Sequence, residues 1–117
     1  VINLARFFAL LIGGLTLVWQ GWEVISGRLF NQFLAADIIL GIFMIIAAVL
    51  PNRFNSALAM LAAYAYSCGV FMVATTGALL LSKYDFGAFT TTLGLIPCSI
   101  FVVLLNRWLV QKVSKPV

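Results

Sequence analysis

The sequence predicts an all-α fold, an integral membrane bundle of four transmembrane helices in antiparallel up-and-down order, and three observations predict it. Hydrophobic residues make up 64% of the 117 residues and charged residues only 9%. The mean hydropathy of +1.15 lies far above what a soluble domain of this length keeps in solution. Apolar runs of about 20 residues, the length that crosses about 30 Å of hydrocarbon, follow one another four times with brief polar interruptions.

The first run covers residues 4–22. It is too long for a signal-peptide core and lacks a small-residue cleavage site, so it reads as a true first span. The chain opens on Val1 rather than an initiator Met, which leaves room for residues upstream. The second run, 33–50, is the shortest, and Pro51, Asn52 and Arg53 stop it. Asn55 or Ser56 then supplies the N-cap of the third run, 56–81, so that the second and third helices form a tight hairpin. A short turn over residues 82–87 leads to the fourth run, 87–110. Within that run Pro97 is expected to bend the helix and free the carbonyl near Leu93. The connections are too short for a soluble domain, so residues 1–117 read as one transmembrane domain with neighbouring helices antiparallel.

Lys and Arg resist translocation, which orients the bundle. One side carries Arg6, Arg53, Arg107, Lys112 and Lys115, the other only Arg28 and Lys83. Both termini are therefore expected in the cytoplasm, in a bacterial inner membrane. Trp19, Trp22 and Tyr84 then mark the outer interface and Trp108 the inner one. The seven basic residues stand singly at the ends of apolar runs, a distribution that suits lipid and predicts no nucleic-acid partner. The absence of histidine removes the commonest haem, copper and zinc ligand and the commonest general base. No catalytic, cofactor-binding or metal-binding residue is assigned, and the expected non-protein contacts are lipid or quinone.

Glu23, Asp37 and Asp85 all fall at the non-cytoplasmic end. Asp37 stands about one turn inside the second helix, where an ionised carboxylate needs a partner, a wet cleft or an interface to reach. Gln20, near the end of the first helix, is expected to face it. Gln20, Glu23, Asp37 and Asp85 form the candidate polar outer site, for a cation, a proton or a basic residue of a partner; the plainer alternative pairs Asp37 with Arg28 or Lys83.

Small residues recur four apart as Ala59 and Ala63, Ala65 and Gly69, Ala74 and Ala78, and Gly94 with Cys98. This spacing lets helix backbones approach in lipid, within the bundle or against another protein, and makes the third helix central. Cys68 and Cys98 are expected at similar depth on adjacent helices, either as small packing residues or as a redox pair. Tyr64, Tyr66 and Ser67 each need a hydrogen-bond partner, most simply on a neighbouring helix. Thr75, Thr76, Thr90, Thr91 and Thr92 either line a polar track or bond back to their own backbone.

The run from Arg6, Phe7 and Phe8 through Gly13 and Gly14 to Gly21 and Trp22, the acid at Asp37 early in helix two, and the basic turn at Arg53 together resemble the DoxX-like small four-helix membrane proteins. The resemblance covers roughly the first three helices, and the connection after helix one is shorter here. It implies an accessory factor beside a redox or biogenesis partner, with Asp37 in the place of the acid that often opens the family's second helix.

These readings lead to a non-catalytic small subunit that packs against a larger membrane complex, aiding assembly, stability or a lipid or quinone boundary. The alternatives are a small homo-oligomeric transporter or flippase with a polar outer-leaflet site, and a redox relay through Cys68 and Cys98.

Overall fold

A computed structural model describes residues 2–26, 34–80 and 86–114. Those residues form four helices, α1 (Ile2–Ile25), α2 (Leu34–Val49), α3 (Arg53–Leu80) and α4 (Phe86–Ser114). Three of them, α1, α3 and the Phe89–Ser114 portion of α4, are long and apolar enough to cross a membrane. α2 is apolar but has only 16 residues.

The helix ends correct the sequence reading in detail. α3 begins at Arg53, three residues before the expected start, because Asn52 rather than Asn55 or Ser56 caps it. The Asn52 Oδ1 accepts from the backbone N–H of Phe54 at 2.9 Å and of Asn55 at 3.1 Å, while its carbonyl accepts from Ser56 N at 2.8 Å. Replacing Asn52 with Ala should therefore cost about 1 kcal/mol of stability, read as a lowered unfolding temperature in mild detergent; an unchanged value would remove the cap from the account. α4 runs unbroken through Pro97 to Ser114, four residues past the expected end. Its last turns carry Lys112 over the Trp108 ring at 5.3 Å, a cation near a helix C-terminus, where the dipole favours it.

α1 packs most extensively on α2, and α3 on α4. α2 also lies against α3, α1 touches all three other helices, and α2 and α4 make no contact among the described residues. α3, too, touches every other helix. The core packs small and medium side chains around two aromatic rings: Ala5 and Ala9 of α1, Leu40, Met44 and Ala47 of α2, Ala57, Met60 and Ala63 of α3, and Cys98 and Leu105 of α4 surround Tyr64 of α3 and Phe101 of α4.

A polar joint ties one end. Arg6 Nη2 donates to the Leu50 carbonyl at 2.8 Å, and Arg6 Nε to Ser56 Oγ at 3.3 Å. The Ser56 hydroxyl donates in turn to the Ala47 carbonyl at 2.7 Å. The start of α1, the end of α2 and the start of α3 thus meet through one guanidinium, whose fork of donors suits several acceptors at once. Further along, Tyr64 donates to the Ala5 carbonyl at 2.6 Å. Its ring stacks on Phe101 at 5.2 Å, and Phe101 in turn lies 5.3 Å from the Phe8 ring. A phenol that reaches across the bundle while packing its ring is what a buried tyrosine requires.

Candidate functional site

The buried residues of α1 are Ile2, Ala5, Ala9, Gly13, Gln20 and Glu23, spaced three, four or seven apart, so they form one stripe along the helix. Gly13 is the closest point. A Cβ added there would lie 2.9 Å from the Gly41 carbonyl oxygen and 3.1 Å from the Met44 Cβ. A Cβ on Gly41 would lie 2.6 Å from Leu17 Cγ and 3.0 Å from the Gly13 carbonyl oxygen. α1 and α2 therefore cross backbone to backbone, a distance only glycine permits.

That crossing sets up the polar pair. One helical turn before Gly41 on α2 stands Asp37, and two turns after Gly13 on α1 stands Gln20. An aspartate side chain is short, and it reaches the opposite helix only because the glycines let the axes come close. Gln20 Nε2 donates to Asp37 Oδ2 at 2.5 Å. Gln20 is 2% exposed, and among the described residues its buried Oε1 has no hydrogen-bond partner. The amide presents its nitrogen to Asp37, which leaves Oε1 on the other side of the group. Asp37 itself is half-buried. Glu23, 6% exposed, continues the same stripe of α1 and has contacts of its own. The structure thus brings Gln20 and Asp37 together and buries Glu23 on the same face, while Asp85, Arg28 and Lys83 lie outside the described residues.

Asp37 stands in the first turn of α2, as expected, but this end of α2 is not level with the end of the α3 and α4 hairpin. The contacts fix the register. Ala47 meets Ser56, and Tyr66 donates to the Ala36 carbonyl at 3.4 Å, so Asp37 lies beside the stretch of α3 around Tyr66. Across from that stretch on α4, Cys68 Sγ sits 3.8 Å from Ser99 Oγ. α3 continues from Tyr66 to Leu80, about 21 Å of helix at ~1.5 Å per residue, and Thr75 still pairs with Thr91 at 3.1 Å and Thr92 at 3.3 Å along it. The Gln20 and Asp37 pair is level with the middle of the long α3 and α4 hairpin, not with its end.

The other sequence candidates separate. Ala63 is buried, Ala59, Ala74 and Ala78 are half-buried, and half-buried Gly94 lies under the Phe71 ring, whose Cε2 would be 2.8 Å from an added Cβ. Ala65 and Gly69 face outward, and nothing lies within 4 Å of a Cβ on Gly69. Cys68 and Cys98 are free thiols, the first half-buried and the second buried. Ser67 bonds back to the Ala63 carbonyl at 2.8 Å. Among the described residues no group of three or more metal-ligating side chains exists.

Sequence reasoning missed the Gly13 and Gly41 crossing and the Arg6 joint. The first had a signal, because Ala5, Ala9 and Gly13 repeat the four-residue spacing of small residues found on α3. The second had none, since the partner of Arg6 is a backbone carbonyl 44 residues away. No family model, no curated protein and no solved structure matches the chain.

Proposed function

We propose that the chain is a small, non-catalytic integral membrane subunit, four helices crossing up and down with both termini cytoplasmic in a bacterial inner membrane, that packs through α3 against a larger membrane complex. The observation that carries this reading is a contrast between outward faces. α1 turns Phe7, Leu11, Leu15 and Val18 outward, α2 Ile39, Ile42 and Ile46, and α4 Leu93, Ile96, Ile100 and Val103, bulky side chains that suit lipid. α3 also exposes Leu58, Tyr66, Met72 and Val73, but between them its outward face carries Ala62, Ala65 and Gly69, a run of small residues that the other three helices do not set among their bulky side chains. Lipid gains little from small residues, whereas a second helix gains close backbone contact.

The meeting of the α1 start with the α2 end supports the up-and-down order, and the cationic end formed by Arg6, Arg53, Arg107 and Lys112 supports the orientation. α2 spans about 24 Å at ~1.5 Å per residue, a shortfall a bilayer meets by thinning. The DoxX-like resemblance is in keeping with an accessory role.

Gly69→Leu and Ala65→Leu should each lower the recovery of a co-purifying membrane partner about tenfold, equivalent to ~1.4 kcal/mol. Val103→Leu on α4 should leave it unchanged. Gly69 has open space at its Cβ, so its variant keeps the bundle intact, and full recovery of the partner with both α3 variants would refute the reading. A second reading, a small oligomeric transporter, is favoured by one observation, the placement of Asp37 level with the middle of the α3 and α4 hairpin, because transporters keep polar sites near the midplane.

A further inference from the structure

We propose that the outward face of α2 is a surface for thin bilayer, one that gathers phospholipids of short acyl chain and lowers the hydrocarbon thickness on that side of the bundle, while α4 faces lipid of ordinary length. The inference rests on the reading that α2 crosses the membrane. It is independent of what docks on α3.

The apolar band that each helix offers to lipid runs between the polar groups that bound it. On α2 the exposed apolar side chains are Ile38, Ile39, Ile42, Ile46 and Val49. Asp37 bounds them at one end, and at the other stands Leu50, whose carbonyl holds the Arg6 guanidinium. From Asp37 to Leu50 the helix rises about 20 Å at ~1.5 Å per residue. On α4 the run from Phe86 to Leu105, before exposed Asn106 and Arg107, rises about 29 Å by the same measure. On α1 the stretch from Phe7 to Ile25, between Arg6 and Ser26, rises about 27 Å. The hydrocarbon of an ordinary bilayer is about 30 Å thick, so α1 and α4 match it closely. α2 falls about 10 Å short.

Two contacts place the missing length in one leaflet. Ala47 meets Ser56 near the start of α3, and Ala36 meets Tyr66 near its middle, so α2 is level with its neighbours at the Arg6 end and stops short at the other. Asp37 sets that edge whether or not a further residue pairs with it, because a carboxylate is kept out of hydrocarbon in either case. Upstream in the sequence Gln32, Asn31 and Arg28 interrupt the apolar band again. Leaning the bundle does not remove the step, since tilt shortens every band in the same proportion; bilayer thinning beside α2 does. α2 and α4 make no contact among the described residues, so the two flanks keep separate lipid neighbours.

The test uses the full chain carrying Trp19→Phe, Trp22→Phe and Trp108→Phe, with one fluorescent reporter placed by Ile42→Trp on α2 or by Val103→Trp on α4. Both positions are exposed. They also stand near one level, since Ile42 lies midway between Ala36 and Ala47 and Val103 two residues past Phe101, which stacks on Tyr64. The protein is reconstituted in mixtures of dimyristoleoyl- and dierucoyl-phosphatidylcholine in which one lipid or the other is brominated, so that quenching reports which chain length touches each reporter. The ratio of short to long lipid should be about threefold higher at Ile42→Trp than at Val103→Trp. An equal or lower ratio on α2 would overturn the proposal. Ile46→Trp repeats the measurement on the same face, so a misfolded Ile42→Trp protein does not shield it. Adding Asp37→Leu should extend the band and bring the α2 ratio down towards that of α4; an unchanged ratio would overturn the assignment of Asp37 as its edge. Absence of quenching by either lipid on α2, with α4 quenched, would mean that protein covers this face or that it lies outside the bilayer. That result would overturn the crossing of α2 together with the proposal, whereas equal ratios would overturn lipid selection alone. The Gly69→Leu experiment reads a different face and stands apart from both.

Discussion

Gly13→Leu is expected to lower the stability of the bundle by about 3 kcal/mol, the largest effect of any single substitution on α1. The reason is the identity of the atom in the way. A Cβ at Gly13 meets the Gly41 carbonyl oxygen at 2.9 Å, and a backbone atom cannot rotate aside as a side chain can. The helices must part along the crossing. Even Gly13→Ala should cost about 2 kcal/mol, although alanine favours the helix itself by about 1 kcal/mol. The neighbouring glycine supplies the control, because nothing lies within 4 Å of a Cβ on Gly14, so Gly14→Ala should be neutral or stabilising. Thermal unfolding in mild detergent distinguishes them, and equal melting of the Gly13 and Gly14 variants would show that the crossing is not tight. Parting the helices at Gly13 should also separate Gln20 from Asp37 two turns on.

Tyr64→Ala is expected to cost about 3–5 kcal/mol, the range for emptying a buried aromatic site. Tyr64 is fully buried, stacks on Phe101 and bonds the Ala5 carbonyl, so its removal affects α1, α3 and α4 together. Tyr64→Phe isolates the hydroxyl. It should cost only about 0.6 kcal/mol, the average for an interhelical hydrogen bond in a membrane protein, because the Ala5 carbonyl keeps its own helical bond. If Tyr64→Phe proved as damaging as Tyr64→Ala, the hydroxyl rather than the ring would hold the three helices together.

The existence of four helices was legible in the sequence, because long apolar runs separated by Pro, Asn and Gly admit few other readings. Which side of each helix faces inward was less legible. α4 spreads both its apolar and its polar residues round the helix, so no periodicity marks its buried face; a surface that meets lipid is as apolar as the core. Small residues therefore carried the packing signal, and they carried it ambiguously. Ala63 and Gly94 turned inward while Ala65 and Gly69, with the same spacing, turned outward. The pairing of Gln20 with Asp37 could be anticipated from two polar residues near the ends of adjacent runs. Its level could not, because counting residues from each loop assumes that all four helices end together, and α3 and α4 run well past the pair.

The joint at Arg6 makes three segments answerable to one side chain. Its acceptors, Leu50 and Ser56, follow it by 44 and 50 residues, so the guanidinium is satisfied within the protein only where α1, the end of α2 and the start of α3 are together. Displacing any one of them leaves part of the fork of donors to find other acceptors, and a charged group with unmet bonds is costly. The departure of one segment at this end is thereby felt by the other two.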